Sequence, residues 1–115
     1  MDDLVLTTPL DKTAIARAAK LLGDTWALLI LSELMDGYKR FGALQSALTD
    51  ISPQTLSNRL KQLEAAGFIV REAYAEIPPR VEYRLTERGQ GLRTVLQAVS
   101  EFGRVFMPDG TCGEP

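Results

Sequence analysis

Apolar residues recur along this chain in blocks of differing period. Ile15, Ala18, Ala19 and Leu22 fall at i, i+3, i+4 and i+7, the spacing of one helix face. Asp11 or Thr13 can cap that helix; Gly23-Asp24 ends it and leaves Asp24 to cap the next. Thr25 to Met35 is apolar nearly all round (Trp26, Ala27, Leu28, Leu29, Ile30, Leu31, Leu34, Met35), which predicts a central, buried helix. Asp36-Gly37 reads as a turn. Phe41, Leu44, Ala47 and Leu48 predict a short helix of about two turns, followed by a tight turn at Thr49-Asp50-Ile51.

The stretch from Ser52 to Gly67 is the best-punctuated helix in the chain. Ser52 supplies a hydroxyl for the N-cap, Pro53 stands at the first helical position, and Gly67 suits the left-handed turn that ends a helix. Leu56, Leu60 and Leu63 make a narrow apolar stripe. The other faces carry Gln54, Thr55, Ser57, Asn58, Arg59, Lys61 and Gln62, with no acid before Glu64. Beyond Gly67, Phe68 to Tyr74 is β-prone, Pro78-Pro79 interrupts, and Val81 to Leu85 alternates with period two. That is a hairpin with a Pro-Pro loop. Thr86 caps a final helix whose stripe is Leu92, Val95, Leu96, Val99, Phe102, Gly103 and Phe106. Residues 1–12 read as a loose arm and 107–115, rich in Gly and Pro, as a disordered tail, leaving 13–106 as one domain.

Charge sharpens this picture more than composition does. The net charge is −2, yet residues 37–84 carry seven basic and five acidic residues and are the only positive third. There is no histidine and a single cysteine, Cys112. A Cys/His zinc site and Ser-His-Asp or Cys-His catalysis therefore lack their parts, which argues against an enzyme and against a cofactor or metal site. The longest central apolar run, Trp26 to Leu31, is far too short to span a membrane. The acidic start Met1-Asp2-Asp3 lacks the basic region of a signal peptide, so the cytoplasm is the expected location.

A short helix, a tight turn and a longer polar-faced helix make a helix-turn-helix, and the hairpin behind it makes a wing. The expected fold is mainly α (α+β): a winged helix-turn-helix with extra N- and C-terminal helices. In such a fold the helix from Ser52 enters the DNA major groove with its N-terminal half nearest the bases. Amides, hydroxyls and cations are the groups that read base edges and hold phosphates. The candidate DNA-binding residues are accordingly Ser52, Pro53, Gln54, Thr55, Ser57, Asn58, Arg59 and Lys61, with Lys39 and Arg40 for phosphates and Arg80 reaching out from the wing tip. A solvated helix face carries the same residue types, and some winged helices bind proteins instead of DNA.

Four stretches resemble the HxlR family of bacterial and archaeal transcriptional regulators, in that family's order and spacing. They are Leu22 to Leu31, Arg40-Phe41, Ile51 to Leu60 and Pro78 to Thr86. The resemblance covers residues 13 to about 106. It implies a homodimer formed through the first and last helices, binding double-stranded DNA with two half-sites, with a small-molecule effector as a further option. The apolar residues of those two helices also exceed what one small core needs. Ile15, Ala18, Ala19 and Leu22, with Leu92, Val95, Leu96, Val99, Phe102 and Phe106, are the expected dimerisation set. Many family members carry a cysteine just before the first helix, and some use it to sense oxidants or electrophiles; Thr13 stands at that place here, so a thiol switch of that type has no sulfur.

Overall fold

The helices begin where side chains satisfy backbone donors that a helix leaves unpaired at its start. In this computed structural model, which describes residues 8–108, helix α1 spans Lys12–Leu22, and Asp11 accepts from the Ala14 amide at 3.0 Å. Helix α2, Thr25–Leu34, is capped by Asp24, which accepts from the Ala27 amide at 2.9 Å. A two-residue strand β1 (Lys39–Arg40) leads into helix α3 (Phe41–Ala47). Helix α4 spans Pro53–Ala65, with Ser52 accepting from the Thr55 amide at 3.1 Å. Strands β2 (Ile69–Tyr74) and β3 (Arg80–Leu85) pair antiparallel, and helices α5 (Glu87–Gln90) and α6 (Arg93–Phe106) follow.

The core lies where α2, α3 and α4 meet one side of the sheet. Ile30, Leu31 and Leu34 of α2, Leu44 of α3, and Leu56, Leu60 and Leu63 of α4 are essentially sealed from solvent. Ile51, Ile69, Tyr83 and Leu85 close the cluster. The predicted Leu56/Leu60/Leu63 stripe thus anchors α4 and turns its polar faces outward. Gly67, at φ +85°, ends α4 in the left-handed region. Just beyond, Thr86 Oγ1 donates to the Gly67 carbonyl at 2.7 Å and accepts from the Gly89 amide at 3.0 Å. One hydroxyl therefore caps α5 and ties it to the end of α4.

Lys39 and Arg40 form an edge strand on β3 that periodicity does not announce, Lys39 opposite Tyr83 and Arg40 opposite Glu82, giving the sheet order β1-β3-β2. Two expectations are corrected. The final helix is not continuous from Thr86 but breaks between Gln90 and Arg93. Two glycines in this stretch weaken helix formation, each by about 1 kcal/mol relative to alanine. Helix α2 is buried on one side only, since Leu29 keeps 40% of its surface exposed. The arm up to residue 7, the tail from residue 109 and Cys112 lie outside the described residues.

Candidate nucleic-acid interface

Gln54, Asn58 and Lys61 fall at i, i+4 and i+7 on α4 and are all exposed, on the side away from the buried leucines. Ser52 and Pro53 are exposed at the helix start, and Thr55 and Ser57 are half-buried flanks. Part of this polar set is already committed. The Ser52 hydroxyl donates to Thr55 Oγ1 at 2.9 Å, so both hydroxyls help hold the first turn. What remains free to meet a ligand is a row of two side-chain amides and one ammonium on a helix whose N-terminus points outward.

Two predicted contact residues sit differently from expectation. Arg59 does not project freely; its Nε donates to Asp24 Oδ2 at 2.7 Å and its Nη2 to Oδ1 at 3.3 Å. Asp24 also caps α2, so one carboxylate links the start of α2 to the middle of α4. The Arg59 hydrogen bond holds the Asp24 carboxyl below its ordinary range, partial desolvation opposing it. Arg80 stands at the loop end of the hairpin, opposite Tyr74, but its guanidinium does not project freely. It pairs with Glu76 at 2.9 Å and with Glu82 at 3.4 Å, and lies 4.2 Å above the Tyr74 ring. Two carboxylates and an aromatic face hold it against the hairpin. The residue that reaches out from the wing loop is Ile77, fully exposed.

Between α4 and the hairpin lies a cleft of about 560 Å³, bordered by Ser57, Lys61, Glu64, Arg71, Phe41 and Tyr83. Arg71 is absent from the predicted set, yet a signal for it existed. It stands two residues after buried Ile69, so strand alternation puts it on the face that looks toward α4. Lys39 is half-buried and Arg40 exposed on the neighbouring edge strand. Besides Lys61 in the row itself, the sheet thus offers three more cations: Arg71 at the cleft and Lys39 and Arg40 on β1. Among the described residues no cluster of His, Cys, Asp and Glu could hold a metal ion, and no helix is long and apolar enough to cross a membrane.

The expected dimerisation residues divide in two. Leu22, Leu92 and Leu96 pack in part against the chain's own core. Ile15, Val95, Val99, Phe102 and Phe106 stay exposed, Phe106 by 71%, and Ala18 and Ala19 are exposed beside Ile15. Phe102 and Phe106 stack on each other at 5.0 Å. Neither α1 nor α6 contains a buried residue.

Comparison with known proteins adds lineage to this geometry. Residues 21–111 match the family described as HxlR-like helix-turn-helix. The HTH-type transcriptional regulator sll1512 of Synechocystis sp. is 44% identical over 98 residues, which cover 85% of this chain and 73% of that protein. Among solved structures, the reduced form of the transcriptional regulator YodB from B. subtilis superposes with a TM-score of 0.73 at 34% identity, covering 94% of this chain and 98% of its own. A MarR-family regulator structure from Porphyromonas gingivalis W83 gives 0.78 at 29% identity, with 86% and 97% covered.

Proposed function

Because the chain belongs to the HxlR-like helix-turn-helix family of transcriptional regulators, we propose that it acts as a homodimer on double-stranded DNA. It binds an operator with two half-sites in the cytoplasm and thereby regulates neighbouring genes. Helix α4 enters the major groove, Gln54 and Asn58 read base edges, and Lys61, Arg71, Lys39 and Arg40 meet phosphates. The observation that carries this reading is the exposed Gln54/Asn58/Lys61 row on a helix that the core holds rigidly by its opposite stripe.

The fold's relatives regulate transcription and are not enzymes. That leaves a protein-binding winged helix as the competing role, and salt separates the two. DNA binding through phosphates loses affinity steeply as salt rises. Fluorescence anisotropy on an operator selected from the DNA upstream of the gene should show salt-dependent binding at least about a thousandfold tighter than on random DNA. Asn58→Ala should cost about 1–3 kcal/mol on that operator and little on random DNA. Affinity that is absent, or indifferent to salt, would favour the protein-binding role.

A further inference from the structure

Helix α1 has two distinct apolar faces. Ile15, Ala18, Ala19 and Leu22 form the outer one, a shallow and uncharged depression suited to a second copy of the chain. Rotated by one residue, Ala14, Arg17, Ala18 and Leu21 also fall at i, i+3, i+4 and i+7 and look back toward the body. There they line one side of an open-mouthed cavity of about 350 Å³, whose other side is Ala66, Phe68, Arg88 and Leu92. Its volume lies at the small end of the roughly 300–1,000 Å³ typical of small-molecule sites.

The lining is what makes this cavity informative. Its floor is apolar: Ala18, Leu21, Phe68 and Leu92. Its only charged groups are Arg17 and Arg88, and no acid borders it. Neither guanidinium has an ion pair or a hydrogen bond among the described residues. Arg88 Cζ lies over the Phe68 ring, 4.8 Å from its centroid, a cation–π contact that favours the guanidinium at the cavity. Arg59, Arg80, Arg84 and Arg104 pair with carboxylates, whereas Arg17 and Arg88, like Arg40 and Arg71 near α4, have none among the described residues. Two unpaired guanidinium groups over an apolar pocket complement an apolar ring that carries a carboxylate, since guanidinium binds that group bidentately.

We propose that this cavity between α1, the end of α4 and the α5 corner binds a small organic anion, an aromatic ring system bearing one carboxylate, with Arg17 and Arg88 holding the carboxylate and Phe68 and Leu92 the ring. Binding there braces α1 against Ala66, the residue that caps α4. On the DNA-binding reading above, occupancy therefore couples to the recognition helix; the site itself does not depend on that reading.

Isothermal titration of the full chain with 2-naphthoate, and in parallel with uncharged 2-naphthamide, tests the proposal without any DNA. The expected result is saturable binding of one naphthoate per chain, at least tenfold tighter than the amide. Arg17→Gln with Arg88→Gln should abolish that preference, and Arg17→Lys with Arg88→Lys should keep much of it. Absent or non-saturable binding of naphthoate, equal affinity for the amide, or an unchanged preference in the Gln variant would each overturn the assignment. The amide comparison needs no substitution, so it decides the matter even if a variant fails to fold.

Discussion

Arg59 and Arg80 show why a cation's role depends on partners that sequence spacing hides. Asp24 lies 35 residues from Arg59, and nothing local announces the pair. The capping residues Asp11, Asp24, Ser52 and Thr86 were legible because each satisfies an amide only three residues ahead. The Asp24–Arg59 pair also carries a pH signature. Asp24 is held below its ordinary value in the folded chain, so its contribution to stability is complete above that ordinary value, about 4. It is lost as pH falls from there through the depressed value. Asp24→Asn keeps a cap but has no titration, so melting temperature followed from about pH 6 to about pH 3 should fall less in the variant than in the parent. Parallel curves would mean the pair does not carry acid stability. A second expectation separates bound from free cations. Lys61→Ala and Arg71→Ala should each lower the salt slope of DNA binding by about one unit, whereas Arg80→Ala, already neutralised by Glu76 and Glu82, should leave it unchanged. A slope lowered by Arg80→Ala would return that residue to the DNA.

At the scale of elements, α4 and the hairpin were readable because periodicity, caps and breakers agree there. Strand β1 was not, because two residues carry no period and its pairing with Tyr83 and Glu82 lies some forty residues away. The break between α5 and α6 was hidden for a related reason: the apolar stripe continues in phase through Leu92, while the constraint sits at Gly89. A Cβ built at Gly89 would stand 2.2 Å from the Phe68 carbonyl oxygen, so the first turn lies on the backbone between α4 and β2 and only glycine fits. Gly89→Ala should destabilise the fold by about 1–3 kcal/mol, as overpacking does. Chemical denaturation measures this, and a neutral outcome would mean that α5 can lift off without cost. The same corner forms one wall of the arginine-lined cavity, which no linear motif marks: Arg17 and Arg88 meet there only through the fold.

On the scale of the whole molecule, the chain is longer than its size calls for. Its radius of gyration is 15.9 Å and it extends 52 × 31 × 22 Å, whereas a compact domain of about 100 residues has a radius near 13 Å. Helices α1 and α6 account for the difference, since neither buries a residue, and Val99, Phe102 and Phe106 remain 49%, 56% and 71% exposed. These exposed apolar residues fit pairing across a two-fold axis, which covers both helices and sets two α4 helices on one side. The excess of apolar residues in those helices was legible from the stripes. Which of them serve the chain's own core was not, because Leu92 and Leu96 share a period with the exposed set. Val99→Asp with Phe102→Asp should give a monomer by sedimentation and remove tight operator binding while the domain stays folded; a persistent dimer would place the interface elsewhere. Operator spacing decides whether one dimer spans two half-sites. The two half-sites should lie about 10–10.5 base pairs apart, one helical turn, matching recognition helices about 34–36 Å apart. Inserting about five base pairs between them turns one half-site to the opposite face of the duplex. Anisotropy titration should then find tight binding lost, and about ten inserted pairs should restore at most part of it. Undiminished affinity after the half-turn insertion would mean that no single dimer bridges the two half-sites.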